Sequence, residues 1–274
     1  MVCRSHELVP GYKDPRNDSV ESREIRRSKP TWTSNSRRVQ GHIAVKSKAA
    51  SSPRKSLRAR FVSSIYATHN NSRQVGLALG QCLSVLSSGS RGLVVGAGST
   101  KLHPALINLD IACGETIDVC ASAEHLPFPD EVFDLVLSQE VLEHVRDPFQ
   151  AMCEMKRVLK KGGILYCQVP FIIGYHPGPT DFWRFTKEGV QELIQRAGLT
   201  CQELKVAVGP GTGFYRIFVE FLAVIAARLW RKLYIPVKGT CALFFYPLKW
   251  LDPILAGGPQ CDRISGGYLA IARR

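Results

Sequence analysis

The sequence has no acidic residue over a long stretch near its start. No Asp or Glu occurs between residues 25 and 109, and the whole formal net charge of +13 arises before Asp110. Residues 110–274 contain 18 basic and 18 acidic residues. The high overall charge therefore requires no basic face on the folded part, and we do not expect a nucleic-acid partner.

Long apolar runs and several well-known motifs are missing as well. No window holds about 18 consecutive apolar residues, which argues against a chain that spans a membrane several times. The nine cysteines form no CxxC pair and lack a histidine at metal-ligand spacing, so we expect buried free thiols, a reducing compartment and no metal site. Neither a Ser-His-Asp nucleophile turn nor a Gly-Lys-Ser/Thr phosphate loop is present.

The first 72 residues differ in composition from the rest. They are rich in Ser, Arg, Lys, Asn and Pro and show no sustained period, which predicts a disordered basic tail. The tail fits an organellar transit peptide or, equally, a solvated extension. Because no apolar signal segment is seen, we expect an intracellular protein, in a chloroplast or mitochondrion if the tail is a transit peptide and in the cytoplasm otherwise.

From residue 73 onward, apolar runs alternate with helical patterns, which predicts an α/β fold with a parallel sheet covered by helices. The best-marked helix begins after Asp147 as its cap and is expected to run to the Gly162-Gly163 pair. The predicted helices are 74–86, 148–161 and 186–197. The predicted strands are 92–95, 105–110, 116–119, 132–137, 164–169, 201–208 and 268–272.

Residues 214–250 have a different character. Apolar residues such as Phe218, Leu222 and Leu229 recur at helical spacing, with basic and aromatic residues around them. This pattern fits a cap over the active site or a basic interfacial helix in peripheral contact with a membrane. We therefore expect a cofactor-binding domain at 73–213, and at 214–274 a helical cap with the last strand of the same domain.

A glycine turn and a downstream carboxylate indicate a nucleoside-like ligand. Gly96-Ala97-Gly98 follows the first predicted strand, and Asp110 ends the second. Glycines let the backbone approach a ligand, and a carboxylate there accepts hydrogen bonds from ribose hydroxyls. On its own, the short glycine pattern is also typical of turns that bind nothing.

Four further motifs follow in order: residues 122–128 (SAEHLPF), 133–138 (FDLVLS), 141–145 (VLEHV) and 157–163 (RVLKKGG). Together they resemble the class I S-adenosylmethionine-dependent methyltransferases of the methyltransferase type 11 group, over Gly92 to Val208. The resemblance implies a Rossmann-like, seven-stranded, mostly parallel sheet. It also implies S-adenosyl-L-methionine as cofactor, with Asp110 at the ribose. The cofactor-binding residues that it implies are Gly96, Ala97, Gly98, Asp110, Ser122, Ala123, Leu126, Ser138 and Gln139.

The segment 175–184 follows the strand that ends at Pro170 and resembles an H-x-x-P-x-D-x-x-R stretch of some of these methyltransferases. His176 is a candidate general base, oriented by Asp181. Equally, Asp181 and Arg184 form an ion pair that fixes the loop, with Trp183 in the core. His144 is a second candidate base, and no second histidine near it in sequence completes a metal-binding set.

The sequence therefore predicts a methyltransferase that acts on a small-molecule or lipid-like acceptor. Two departures from the family pattern keep an alternative open: Val94 replaces a common acidic residue, and only a short segment separates Ser99 from the second strand. The alternative is a non-catalytic binding or scaffold protein with the same fold. A nicotinamide-dependent reductase would need a longer glycine loop. The sequence gives no indication of the acceptor's identity or of an oligomeric state.

Overall fold

A seven-stranded sheet organises residues 72–274, the part of the chain that the computed structural model describes. The strands are β1 (Gly92–Val95), β2 (Leu106–Asp110), β3 (Val119–Cys120), β4 (Phe133–Gln139), β5 (Leu159–Pro170), β6 (Thr200–Val208) and β7 (Gly267–Arg273). The helices are α1 (Arg73–Leu83), α2 (Pro148–Val158), α3 (Lys187–Arg196), α4 (Pro210–Leu229), α5 (Tyr234–Phe244) and α6 (Asp252–Leu255). Three 3-10 turns lie at Arg231–Leu233, Tyr246–Leu251 and Cys261–Arg263. The predicted tail at 1–72 lies outside the described residues, except for Ser72.

The strand order is β3-β2-β1-β4-β5-β7-β6, and only β7 runs antiparallel to its neighbours. This confirms the expected seven-stranded, mostly parallel sheet. The order reverses at β1, which lies between β2 and β4. Ligands of open α/β sheets bind at such a reversal, beyond the carboxyl ends of the strands.

Apolar side chains cover both faces of the sheet. One buried cluster packs α2 and α3 on one face, with Met152, Met155 and Ile194 fully buried. The other cluster packs α1 through Val75, Ala78 and Cys82. Because both faces are covered, all four residues of β1 are buried, as expected for a parallel strand.

Helix α2 ends earlier than the sequence predicted. Asp147 caps its start by accepting the N–H groups of Phe149 and Gln150, as expected. The helix stops at Val158, however, and Lys160 and Lys161 belong to β5 instead. Residues 160–163 form an irregularity in the pairing with β4, where Lys160 binds Asp134 at 2.8 Å. This ion pair and the Gly162-Gly163 turn place the two lysines in the strand.

Strand β3 and the cysteines also differ from expectation. The third strand begins at Val119, where the predicted one ended. Cys120 in this strand forms a disulfide with Cys113, so the expectation that all cysteines are free thiols is wrong for this pair. The other cysteines of the described part form no disulfide, and two of them, Cys82 and Cys167, are buried. Cys3 lies outside the described residues.

The segment between β6 and β7 forms a helical cap that contains α4, α5 and α6. Tyr215 and Val219 of α4 pack with Ala242 of α5 in a small separate core. Glu220 of α4 pairs with Lys238 of α5 at 2.7 Å. Within residues 72–274, no helix combines the length and hydropathy needed to cross a bilayer.

Candidate functional site

A cavity of about 310 Å³ opens at the carboxyl ends of β1, β2 and β4, where the strand order reverses. Four of the predicted cofactor residues line it: Gly96, Asp110, Ser122 and Ala123. The segment after β5 contributes Gly178, Pro179, Thr180 and Phe182. Parts of the chain that are far apart in sequence thus form one cleft.

The turn after β1 requires glycine. Gly96 has a φ of +69°, and a Cβ there would overlap with Cγ2 of Val141. Gly98 also has a positive φ, of +54°, but a Cβ there would meet nothing within 4 Å. No helix forms between β1 and β2, because the segment from Ser99 to Leu106 is too short for the helix usual in this fold.

Asp110 fixes this turn while it faces the cavity. Its carboxylate accepts the backbone N–H of Gly98 through one oxygen and that of Ala112 through the other, each at 2.9 Å. Each carboxylate oxygen can accept a second hydrogen bond. The side chain can therefore hold two hydroxyl groups of a ligand without losing its contacts to the turn.

The remaining predicted cofactor residues lie around the cavity rather than along its wall. Ala97, Leu126 and Ser138 are buried, and Gln139 donates to Gln168. Their cofactor roles, with that of Gly98, stay predictions. Ile111 lines the cavity and is 65% exposed, although no sequence motif marked it. An exposed apolar side chain directly after the predicted ribose carboxylate is the signal that would have found it.

The segment 176–184 is attached to residues 143–145 through their backbone. Thr180 donates its hydroxyl to the carbonyl of His144 at 2.8 Å, and its own carbonyl accepts Nδ1–H of that histidine. The indole of Trp183 donates to the carbonyl of Val145 at 3.0 Å. Trp183 is 43% exposed, so the expectation that it lies in the core is wrong. The ring lies at the surface because the hydrogen bond of its indole N–H to the carbonyl of Val145 holds it there.

Asp181 and Arg184 form the expected ion pair. Two guanidinium nitrogens of Arg184 bind the two oxygens of Asp181, at 2.6 and 2.7 Å. The guanidinium and the N–H of His176 lower the pKa of the nearly fully buried Asp181 to about 2, against a smaller opposing effect of burial. Asp181 also lies 3.5 Å from Nδ1 of His176. Asp181 therefore fixes the loop through Arg184 and through the backbone N–H of His176, at 2.8 Å. Nδ1 of His176 lies closer to the carbonyl of Gly174, at 2.9 Å, and the role of Asp181 in orienting the imidazole stays a prediction.

Two histidines converge on the buried Glu143. Nε2 of His144 lies 3.6 Å from Oε1 of Glu143, and Nε2 of His176 lies 4.0 Å from the same oxygen. Neither oxygen of Glu143 has a hydrogen-bond partner among the described residues. The three side chains are close enough together to hold a metal ion. His176 is 32 positions away from His144, so no local motif in the sequence marked this group. The expectation that no metal is bound stays a prediction.

A second buried carboxylate, Glu140, connects this group to the cavity wall. Its backbone has a φ of +53°, a conformation that is rare outside glycine. One oxygen accepts Nε2–H of Gln168 at 3.1 Å, and Arg216 of α4 is a favourable charged neighbour. Burial raises the pKa of Glu140, and burial together with the charge of Glu140 raises the pKa of Glu143. No sequence motif marked either residue as functional, and the left-handed backbone is visible only in the structure.

Comparison with known families identifies the domain that carries this cavity. Residues 93–167 match the model of the family described as "Methyltransferase domain". Over these residues the chain is similar to that family. The match includes the glycine turn, Asp110, Glu143 and His144, whereas His176 and the segment 178–182 that lines the cavity lie beyond it.

Curated relatives match part of the chain over part of their own length. An uncharacterised methyltransferase of Schizosaccharomyces pombe is 45% identical over 72 residues, which are 25% of this chain and 26% of the relative. A ubiquinone biosynthesis O-methyltransferase of Dinoroseobacter shibae is 31% identical over 116 residues, 36% of this chain and 45% of the relative. The chain thus spans less than half the length of both.

Solved structures resemble the chain at the level of the fold. A phosphoethanolamine N-methyltransferase of Haemonchus contortus, solved with S-adenosyl-L-methionine, is 14% identical, with a TM-score of 0.47 over 77% of this chain and 55% of that one. A possible histamine N-methyltransferase of Thermotoga maritima is 24% identical, with a TM-score of 0.38 over 53% of this chain and 80% of that one.

Proposed function

We propose that the chain transfers a methyl group from S-adenosyl-L-methionine to a small-molecule or lipid-like acceptor. The observation that carries the proposal is the position of Asp110, which ends β2 and faces the same cavity as Gly96 and Ala123. A ribose diol needs a carboxylate, an amino-acid chain needs exposed backbone groups, and an adenine ring needs apolar walls. These three features meet in one cleft of the matched domain.

The residues present fit this cofactor. Asp110 retains acceptor capacity for the ribose, Ala123 and Ile111 provide apolar walls for the base, and the Gly96 turn leaves backbone exposed to the amino-acid part. A cavity of 310 Å³ is at the lower end of the usual size for small-molecule sites, about 300–1000 Å³. When bound, the cofactor supplies an electrophilic methyl group on a sulfonium. The chain contributes by holding an acceptor nucleophile in line with that methyl group.

His144 is placed to take a proton from an acceptor hydroxyl. It lines the cavity, whereas His176 does not. Its Nδ1 faces the carbonyl of Thr180 and must donate, so Nε2 of the neutral ring carries the lone pair. His176 stays the alternative base, and Asp181 acts on it as a positioning residue. An oxygen nucleophile is supported by the relatives named ubiquinone biosynthesis O-methyltransferases.

Calorimetric titration of the full chain with S-adenosylmethionine and S-adenosylhomocysteine tests the proposal. We expect both to bind, with a loss of affinity of at least about tenfold in Asp110→Ala, because charge-assisted hydrogen bonds contribute about 1.5–3 kcal/mol each. Asp130→Ala, which changes an exposed carboxylate away from the cavity, is the matched control. Absence of binding to the wild-type chain would favour the non-catalytic scaffold alternative.

We further propose that the helical cap contacts an anionic membrane surface. Of the 21 large hydrophobic residues that are exposed in the described part, 14 lie between residues 214 and 255. On α4, Ile217, Phe221 and Val224 are exposed and recur at helical spacing on one face, and Leu229 is exposed at the end of the helix. The opposite face, with Tyr215 and Val219, is buried.

The charges around this apolar face favour an anionic lipid surface as its partner. Arg228, Arg231 and Lys232 are exposed beside it, and no acidic residue between 214 and 255 is exposed. Trp230 is 58% exposed, and the ammonium of Lys232 lies 5.8 Å from its ring centre. A tryptophan next to cations is typical of segments that bind at the membrane–water boundary.

Co-sedimentation with vesicles tests the membrane contact. We expect the chain to pellet with vesicles of phosphatidylcholine and phosphatidylglycerol, and less with phosphatidylcholine alone. Phe221→Ser with Leu229→Ser should remove the binding, whereas Leu77→Ser, at an exposed position on α1, should leave it unchanged. Equal pelleting of all three proteins would show that this face does not bind lipid.

A further inference from the structure

The group around Glu143 contains a buried carboxylate that lacks hydrogen bonds. Glu143 is 0% exposed, and neither of its oxygens has a hydrogen-bond donor among the described residues. Burial of a carboxylate is unfavourable unless it is protonated, hydrogen-bonded or paired with a positive charge. The guanidinium of Arg184 is already bound to both oxygens of Asp181. Glu143 therefore requires a proton or a positively charged ligand of its own.

The ring of His144 is oriented as in a metal ligand. Its Nδ1 faces the carbonyl of Thr180 and donates to it, so Nε2 of the neutral ring carries the lone pair. Nε2 is also the atom that lies 3.6 Å from Oε1 of Glu143. Histidines that bind metals commonly donate their other ring N–H to a backbone carbonyl, which fixes the tautomer and the ring orientation. The bond to Thr180 thus prepares Nε2 of His144 as a ligand.

His176 has the same arrangement. Its Nδ1 lies 2.9 Å from the carbonyl oxygen of Gly174, and Nη2 of Arg184 lies farther from that nitrogen, at 3.4 Å. The shorter contact requires a hydrogen on Nδ1, which places the lone pair of the neutral ring on Nε2. Nε2 lies 4.0 Å from Oε1 of Glu143. Two lone pairs and a carboxylate oxygen thus lie close together, and they repel one another unless a proton or a cation lies between them.

The spacing of these three atoms favours a metal ion over a shared proton. A hydrogen bond between a carboxylate and an imidazole requires about 2.7–3.2 Å between oxygen and nitrogen, and the observed distances of 3.6 and 4.0 Å are longer. Two ligands of a tetrahedral metal ion, each about 2.0–2.1 Å from it, lie about 3.3 Å apart. All three ligand atoms lie within 4.8 Å of one another. Small shifts of the two rings would therefore complete three bonds to one ion.

We propose that Glu143, His144 and His176 bind a divalent transition-metal ion such as Zn²⁺ or Co²⁺. Two imidazoles and one carboxylate are a donor set that these ions favour, and three protein ligands leave one position open. His144 lines the first cavity, so that position can be reached from there. The expectation from the sequence that no metal is bound rested on the lack of a local motif, whereas His176 comes from 32 positions farther along the chain.

The bound ion serves the methyl acceptor, and this part of the inference rests on the proposed function. An acceptor oxygen that reaches the open position meets a positive charge, which favours its deprotonated form. Binding of the ion and action as a base both use the lone pair on Nε2 of His144. The ion therefore replaces His144 as the group that activates the acceptor, and the histidine acts as a base only in the metal-free chain.

Calorimetric titration of the full chain with Zn²⁺, after dialysis against a chelator, tests the site. Glu143→Gln keeps the size of the side chain and removes its charge. It should weaken the binding at least about 100-fold, because loss of a group that only supports a metal ligand already costs about 10–100-fold. Glu192→Gln, at an exposed position on α3, is the matched control. Equal binding by wild type and Glu143→Gln, or no binding by wild type, would overturn the proposal.

The visible absorption of bound Co²⁺ identifies the two histidine ligands, because the spectrum depends on the groups that bind the ion. His144→Ala and His176→Ala should each weaken Co²⁺ binding and change the spectrum. His103→Ala, outside the cleft, should change neither. An unchanged spectrum and affinity in either of the first two variants would show that its histidine is not a ligand, and would overturn the assignment of the three residues.

Thermal unfolding and titration with S-adenosylhomocysteine complete the test. Zn²⁺ should raise the thermal midpoint of wild type but not that of Glu143→Gln, because a ligand stabilises only a fold that binds it. A cooperative transition of metal-free Glu143→Gln shows that the variant is folded. If wild type binds Zn²⁺ through Glu143 but does not bind S-adenosylhomocysteine, the metal site stands and the proposed function fails. If wild type binds S-adenosylhomocysteine but not Zn²⁺, the metal site fails and the proposed function stands.

Discussion

The carboxylate of Asp110 lies 2.9 Å from the backbone nitrogen of Gly98 and accepts its hydrogen. One side chain therefore closes the turn after β1 and also presents an acceptor to the cavity. Since the same group serves both roles, loss of the carboxylate should affect loop order and ligand affinity together.

Asp110→Asn separates these two roles. The amide oxygen can still accept the N–H of Gly98, but the amide NH2 cannot accept that of Ala112, and the negative charge toward the ribose is lost. We expect this variant to keep the thermal midpoint of wild type within a few degrees but to bind S-adenosylhomocysteine about tenfold more weakly, by calorimetry. Asp110→Ala should lower both quantities. An Asn variant that binds like wild type would show that the ribose is held elsewhere.

Gly96→Ala should destabilise the fold by about 1–3 kcal/mol, because an added Cβ overlaps with Val141 in a left-handed backbone. Gly98→Ala should destabilise the fold by about 1 kcal/mol, because Gly98 has the same left-handed backbone but no atom close enough to meet an added Cβ. Urea unfolding measures both. The difference between the two variants isolates the contact with Val141, and equal losses would mean that this contact relaxes without cost.

The ion pair of Asp181 predicts a loss of stability in acid. The folded state lowers the pKa of Asp181 from its ordinary 3.8 to about 2. The stabilisation is therefore present above about pH 4 and is lost as the pH falls toward 2, and it amounts to about 2 kcal/mol. Asp181→Asn should remove this dependence from urea unfolding curves recorded between pH 7 and pH 3. An unchanged pH profile in the variant would mean that other groups cause it.

His144 and His176, the two candidate bases, lead to different predictions for turnover. Once an acceptor is known, His144→Ala should lower kcat about 100-fold and leave the affinity for S-adenosylhomocysteine unchanged, as expected for loss of a general base. If His176 is the base, His176→Ala gives that result instead. His103→Ala, outside the cleft, is the control. Full turnover in both His144→Ala and His176→Ala would remove general-base catalysis by histidine from the proposal.

Local signals in the sequence predicted much of the sheet and the cofactor side of the cleft. Strand β1 lies where the apolar run placed it, and Asp147 caps α2 through the predicted contacts. Gly96, Asp110, Ser122 and Ala123 meet in one cavity as the resemblance implied. These features depend on spacing, on turn chemistry or on motif order, each of which can be read from neighbouring residues.

Features that depend on distant contacts could not be predicted. The end of α2 is decided by pairing with β4 and by the bond of Lys160 to Asp134, since the lysine-rich end is equally compatible with a helix. His176 reaches Glu143 only because residues 176–184 bond to the backbone of 143–145. The Cys113–Cys120 bond likewise joins a loop to a strand whose start was misplaced.

The helical cap leaves and rejoins the sheet at a single point. Gly266 donates its N–H to the carbonyl of Val208 at 2.8 Å, and a Cβ on Gly266 would lie 3.6 Å from Cα of Gly213, so the two ends of the insertion touch. Strands β6 and β7 are thus joined across that point whatever the insertion contains. The insertion can therefore change in length and sequence without altering the strand ends that form the first cavity.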